Sequence, residues 1–189
     1  MKPGNTLVLL LLLVFTLSCS AGNSDIETVK QLMNEYFPGQ KKLNNQTEQE
    51  YKWGDFNGDG IKDILVLFRP EFNPVETDRF KVSKPWVYPW SKSSKKLYKS
   101  IAIFNGSKSG WNSDAANVFV LLDTVGVLET PSFKLILSKT TDKDYTSHSQ
   151  MLPVKVKGDL VIIPTEAGID TYIYWDRNEY KLYEPEEMP

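Results

Sequence analysis

Along the chain the rhythm of apolar residues changes twice. Residues 7–17 form one apolar run, LVLLLLLVFTL, with Lys2 ahead of it. Ile26, Val29, Leu32, Met33 and Tyr36 then recur at helical spacing until Pro38-Gly39 stops them, which predicts an amphipathic helix over 25–37. Ser24-Asp25-Ile26-Glu27 just before it has the form of a capping box, Ser24 accepting from the Glu27 amide while Glu27 reaches back. From residue 51 onward the segments are short and rich in β-formers: 64–68, 100–104, 118–122, 133–137, 154–157, 160–163, 171–175 and 180–183. Asn105-Gly106, Gly110, Lys157-Gly158-Asp159 and Asp176-Arg177-Asn178 supply turns between them. The alternation is cleanest near the C-terminus, where Tyr172, Tyr174 and Asp176 oppose Ile173 and Trp175. These patterns predict an α+β fold that is mainly antiparallel β. Its N-terminal amphipathic helix packs on a sheet or sandwich of about eight short strands. Residues 69–99 read as a long irregular insertion.

As a helix, the apolar run rises about 16 Å, roughly half a hydrocarbon core, so it does not span a bilayer and has the proportions of a secretory signal. Thr16-Leu17-Ser18-Cys19 follows, and Cys19 is the only cysteine in the chain. This tetrapeptide resembles the lipobox of bacterial lipoprotein signals. Ser18 fits the pattern, whereas Thr16 and Leu17 relax its usual Leu-(Ala/Ser)-(Gly/Ala)-Cys form. The resemblance implies cleavage before Cys19 and diacylglycerol on its sulfur, with several acyl chains anchoring the protein firmly at about 0.8 kcal/mol per methylene. It divides the chain into a signal peptide (1–18), a lipidated tether (19–23) and a single β-rich domain (24–189). The expected location is the bacterial cell envelope, at the outer membrane or cell surface. A secreted protein with a chance cysteine near its cleavage site is the alternative.

Composition narrows the chemistry. The 189 residues carry 22 Lys+Arg against 24 Asp+Glu, a net charge of −2, which excludes a globally basic nucleic-acid binder. One His and one Cys exclude His/Cys zinc clusters and disulfide frameworks, each of which needs more such residues than the chain has. Loss of residues 1–18 removes a single cation, Lys2, and takes the net charge to −3.

Residues 55–63 read Asp-Phe-Asn-Gly-Asp-Gly-Ile-Lys-Asp. Asp55, Asn57, Asp59 and Asp63 place side-chain oxygens at loop positions 1, 3, 5 and 9, Gly60 permits a sharp turn, and Ile61 can offer its carbonyl. A hard cation such as Ca²⁺ takes six to eight oxygens, and this spacing supplies most of them. A helix–loop–helix calcium site would carry Glu at position 12, but Val66 stands there and a strand pattern follows. Residues 53–67 instead resemble an FG-GAP/VCBS repeat, the calcium loop of integrin-type propeller blades. The resemblance implies one structural Ca²⁺ site. It covers one copy only, and a propeller requires several. A metal-free hairpin turn is the simpler alternative.

The stretch 79–99 holds seven cations and no acid: Arg79, Lys81, Lys84, Lys92, Lys95, Lys96 and Lys99. Trp86, Tyr88 and Trp90 alternate around Pro85 and Pro89. Such a segment suits anionic lipid, lipopolysaccharide or a glycan, with rings settling at the interface; no nucleic acid is expected outside the cytoplasm. Packing of the rings over a sheet edge is the alternative. His148, in Thr-Ser-His-Ser-Gln, reads as a solvated loop residue, and no catalytic residue is assigned. The sequence therefore points to a non-catalytic envelope or surface binding module. Its rivals are a periplasmic or surface hydrolase with an unrecognised carboxylate site and a structural subunit of an envelope complex.

Overall fold

A computed structural model describes residues 21–37, 51–70, 80–83, 98–111, 118–123, 126–129, 136–164 and 168–185. The chain divides into two compact units, Met1–Pro38 and Gly39–Pro189. In the first, helix α1 runs Ala21–Tyr36. Val29, Leu32, Met33 and Tyr36 of the expected stripe are buried, while Ile26 remains 42% exposed. The helix begins three residues before Ser24, so Ser24 lies inside it and the capping box is not the N-terminus. Residues 21–23, expected in the tether, are helical.

The second unit holds nine strands among the described residues: β1 (Tyr51–Gly54), β2 (Asp63–Phe68), β3 (Phe80–Ser83), β4 (Ser100–Phe104), β5 (Val118–Leu121), β6 (Ile136–Ser138), β7 (Leu160–Ile163), β8 (Thr171–Asp176) and β9 (Glu179–Tyr183). They form two sheets. One has the order β1-β2-β4-β5-β3 and the other β6-β7-β8-β9. The second is wholly antiparallel, whereas β3 runs parallel to β5 at the edge of the first. The fold is therefore mostly β, with two sheets and no closed propeller.

Register decides which side chains meet. Leu65 pairs with Ile103 and Leu67 with Ile101, and these continue to Phe119 and Leu121 on β5. With Phe56, Leu128, Val161, Ile163, Ile173 and Tyr180 they form one buried core between the sheets. Each fully buried Leu or Ile contributes about 1.5–3 kcal/mol. The opposite face of β2 and β4 is buried as well, so the runs ILVLF and SIAIF read as continuous apolar stretches. On β8 the expected alternation holds: Ile173 and Trp175 join the core, and Tyr172 and Tyr174 face the other way. That outer face is covered by Tyr145, Leu152, Val154 and Val156.

Four local expectations change. Residues 154–157 alternate like a strand but form no ladder; Val154 and Val156 pack over Leu160 and Ile162 instead. A six-residue helix, α2 (Tyr145–Gln150), stands where a loop was expected and carries His148. The irregular insertion 69–99 contains β3, and β1 precedes the first expected strand. Among the described residues no helix is long and apolar enough to cross a membrane.

Candidate metal centre

The connection between β1 and β2 is the Asp55–Asp63 loop, anchored by Phe56, which inserts into the inter-sheet core at 1% exposure. Gly58 and Gly60 take φ of 72° and 81°. A Cβ at Gly60 would meet no atom within 4 Å, so the left-handed backbone, not crowding, calls for glycine there.

The polar side chains turn inward on their own backbone. The Asp59 N–H is shared by Asp55 Oδ1 and Asn57 Oδ1, each at 3.0 Å, which brings those two oxygens together. Gly60 donates its N–H to Asp55 Oδ2 at 2.9 Å, and Ile61 donates to Asp59 Oδ1 at 2.7 Å. The Asn57 side-chain amide donates to Asp59 Oδ2 at 3.1 Å. Among the described residues no lysine or arginine pairs with Asp55 or Asp59. Lys62, at loop position 8, stands with its ammonium 3.7 Å over the Trp53 ring, and Trp53 lies against Trp111.

Asp63 behaves differently. It is fully buried, and its carboxylate accepts the N–H groups of Phe56 (2.7 Å), Asn57 (3.2 Å) and Gly106 (2.8 Å). Burial pushes its pKa up to about 7, against the downward pull of the amides of Gly106, Asn57 and Phe56; the nearby Asp59 charge adds to the rise. The Tyr180 hydroxyl donates to Asn105 Oδ1 beside it. Burial raises the pKa of that phenol well above its usual value, and the charges of Asp63, Asp55 and Asp59 raise it further. Three acidic groups thus act on one buried point.

A carboxylate offers about four lone-pair sites. Asp55, Asn57 and Asp59 oxygens each use one on a hydrogen bond, which leaves one per oxygen for a hard cation. Asp63 has about one site left, on Oδ1. Among the described residues no three acidic, His or Cys side chains are grouped so as to hold a metal ion by themselves. The side-chain oxygens that could face a cation are those of two half-free carboxylates and one amide, beside the loop carbonyls. That is oxygen-only chemistry and suits Ca²⁺ better than zinc or another soft metal.

One residue invisible in the motif completes the loop. Asp159, in the turn before β7, accepts the Asp55 N–H at 2.9 Å on Oδ2 and the Thr140 N–H at 2.9 Å on Oδ1. Its own N–H donates to the Asp55 carbonyl at 2.7 Å. In the sequence it reads only as part of a Gly-Asp turn, 104 positions away from its partner.

Of the basic segment, Arg79, Lys84, Trp86, Tyr88, Trp90, Lys92, Lys95 and Lys96 lie outside the described residues, as does Cys19. Lys81 is exposed on β3 and pairs with Glu179 of β9 at 3.1 Å; Glu179 also pairs with Lys181. Lys99 lies half-buried just before β4. His148 Nε2 is 3.7 Å from Oδ2 of Asp144, the N-cap residue of α2, and its ring lies against Tyr172.

Comparison with protein-family models, with curated proteins and with solved structures finds no match to this chain.

Proposed function

We propose that this protein is a bacterial envelope lipoprotein whose β domain is a non-catalytic binding module braced by one Ca²⁺ ion. Asp55, Asn57, Asp59 and the Ile61 carbonyl hold the ion, and Asp63 closes the loop from behind. Cys19 carries the lipid, and α1 links that anchor to the β domain. The observation that carries the metal reading is the convergence of Asp55 Oδ1 and Asn57 Oδ1 on a single amide, beside Asp59, with no lysine or arginine within ion-pair distance of the two carboxylates among the described residues. Two carboxylates held this close repel each other, and a divalent cation relieves that repulsion. Extracellular calcium modules bind at about 10⁻⁴–10⁻³ M, which fits a brace rather than a sensor.

The test is thermal melting of residues 20–189 in EDTA and then in millimolar Ca²⁺ or Mg²⁺. At ten times the dissociation constant, linkage gives about 1.4 kcal/mol and a rise of a few degrees. The rise is expected with Ca²⁺ and is lost in Asp55→Ala and Asp59→Ala; equal melting in EDTA and Ca²⁺ would remove the metal from the proposal. The anchor has its own test. Cys19→Ala should move the full chain from the membrane to the soluble fraction, and continued membrane retention would contradict the lipid assignment.

A further inference from the structure

Asp159 grips the first residue of the metal loop from both sides. Its Oδ2 accepts the Asp55 N–H and its N–H donates to the Asp55 carbonyl, while its Oδ1 takes the N–H of Thr140. Asp159 as a whole is 6% exposed. The approach is backbone to backbone: a Cβ on Gly158 would sit 2.2 Å from the Phe56 carbonyl oxygen and 2.9 Å from that of Asp55. The Gly158 carbonyl is held in turn by the Tyr145 hydroxyl at 2.7 Å. A rigid chain of contacts thus runs from Asp55 through Asp159 and Gly158 to Thr140 and α2. None of these groups carries an oxygen toward the cation, yet together they set where the Asp55 side chain starts.

We infer that cation binding in the Asp55 loop is coupled to the seating of residues 139–159 against the β1–β2 loop, with Asp159 as the positioning residue between them, an inference that rests on the calcium reading above. The physical reason is geometric. Asp55 must hold its carboxylate toward Asn57 and Asp59, and Asp159 fixes both the N–H and the carbonyl of its backbone. Coupling free energy is reciprocal, so an ion that selects the seated Asp55 also seats Asp159, Thr140 and the segment between them. Partners that orient metal ligands are commonly worth 10–100-fold in affinity.

The experiment pairs calorimetric titration of residues 20–189 with Ca²⁺ and amide hydrogen exchange, with and without Ca²⁺. In the wild type, Ca²⁺ is expected to slow exchange at Thr140 by as large a factor as at Ile173, a core position of β8 that reports global stabilisation. Asp159→Asn keeps one acceptor oxygen for two amides. It should weaken Ca²⁺ binding about tenfold and abolish the Ca²⁺-induced protection at Thr140. If the wild type binds Ca²⁺ and exchange slows at Ile173 but not at Thr140, the coupling is overturned and the metal reading stands. If Thr140 responds but Asp159→Asn keeps wild-type affinity, Asp159 is not the link. No heat and no exchange change in the wild type overturns the metal reading, and the coupling with it. The exchange comparison uses wild-type protein, so it decides the matter even if the variant does not fold.

Discussion

Two hairpins in this protein do the same topological work with very different means. β8 and β9 reverse through Arg177-Asn178, and the register closes at once on Asp176 and Glu179. The tip is a three-residue turn, with the Asn178 N–H on the Asp176 carbonyl at 2.7 Å and Arg177 at φ 60°. β1 and β2 also pair antiparallel, Gly54 directly opposite Asp63, yet residues 55–62 lie between them. A chain reversal needs two residues. The longer loop spends its extra length on two acids, an asparagine and two left-handed glycines and ties itself to Asp159, while Asp63 at its end accepts from Gly106. That excess over what reversal requires is the physical case for a site there and not at Arg177.

The comparison breaks most sharply at Asp63. Asp63→Ala leaves the buried N–H groups of Phe56 and Gly106 without their acceptor, at about 1–3 kcal/mol each. Urea unfolding in EDTA should therefore show a loss of about 3 kcal/mol or more. Asp55→Ala frees only exposed amides of Asp59 and Gly60, which water can satisfy, so under the same conditions it should cost about 1 kcal/mol or less. Equal losses would show that the loop is a single structural unit with no division between brace and ligand.

pH separates the hairpins next. In metal-free protein the folded Asp63 carboxyl titrates at about 7 against 3.8 for the ordinary group. The native state then holds a proton that the unfolded chain has lost. This contribution is complete below 3.8 and disappears as the pH climbs to about 7. Glu179 has the opposite sign: hydrogen bonds from Lys181 and Lys81 hold its pKa below 4.5, so its contribution is present above 4.5 and lost as the pH falls through the lowered value. In EDTA the wild type should unfold at lower urea at pH 8 than at pH 5. Asp63→Asn should flatten that difference and Glu179→Gln should leave it in place. A wild-type midpoint that does not move would mean the three amide donors outweigh burial.

The smallest effect belongs to the short turn. A left-handed backbone costs a side-chain-bearing residue about 1–2 kcal/mol, part of which returns as the greater chain entropy of unfolded glycine, about 0.4–1 kcal/mol. Arg177→Gly should then stabilise the fold by about 0.5–1 kcal/mol in denaturant titrations and leave any Ca²⁺ response untouched. Destabilisation would reveal contacts of the arginine beyond its 3.9 Å approach to Asp176.

Strong local signals were legible without the fold. Ile64–Phe68, Ser100–Phe104 and Leu160–Ile163 are apolar enough to demand burial wherever they pair, and each became an interior strand. The Asp55–Asp63 spacing specified a sharp, acid-lined turn, because Gly60 and the short Asx side chains act on their own backbone. Weak signals failed for equally physical reasons. β1 (YKWG) and β3 (FKVS) are four residues long and become strands only by borrowing a ladder from β2 and β5. The six residues of α2, YTSHSQ, have no buried member and no apolar period to read. Residues 154–157 alternate convincingly, but alternation expresses only which side is apolar, and here hydrophobic packing over β7 satisfied it without a partner strand.

The sequence by itself determined which segments had to be buried and which short loop gathers side-chain oxygens, since both follow from side chains within a few residues of one another. Only the tertiary structure decided that Asp63 faces backbone amides from two loops, and that Asp159 holds Asp55 from 104 positions away. Hydrogen bonds between distant segments depend on how two sheets close over a common core, and no local pattern records that closure.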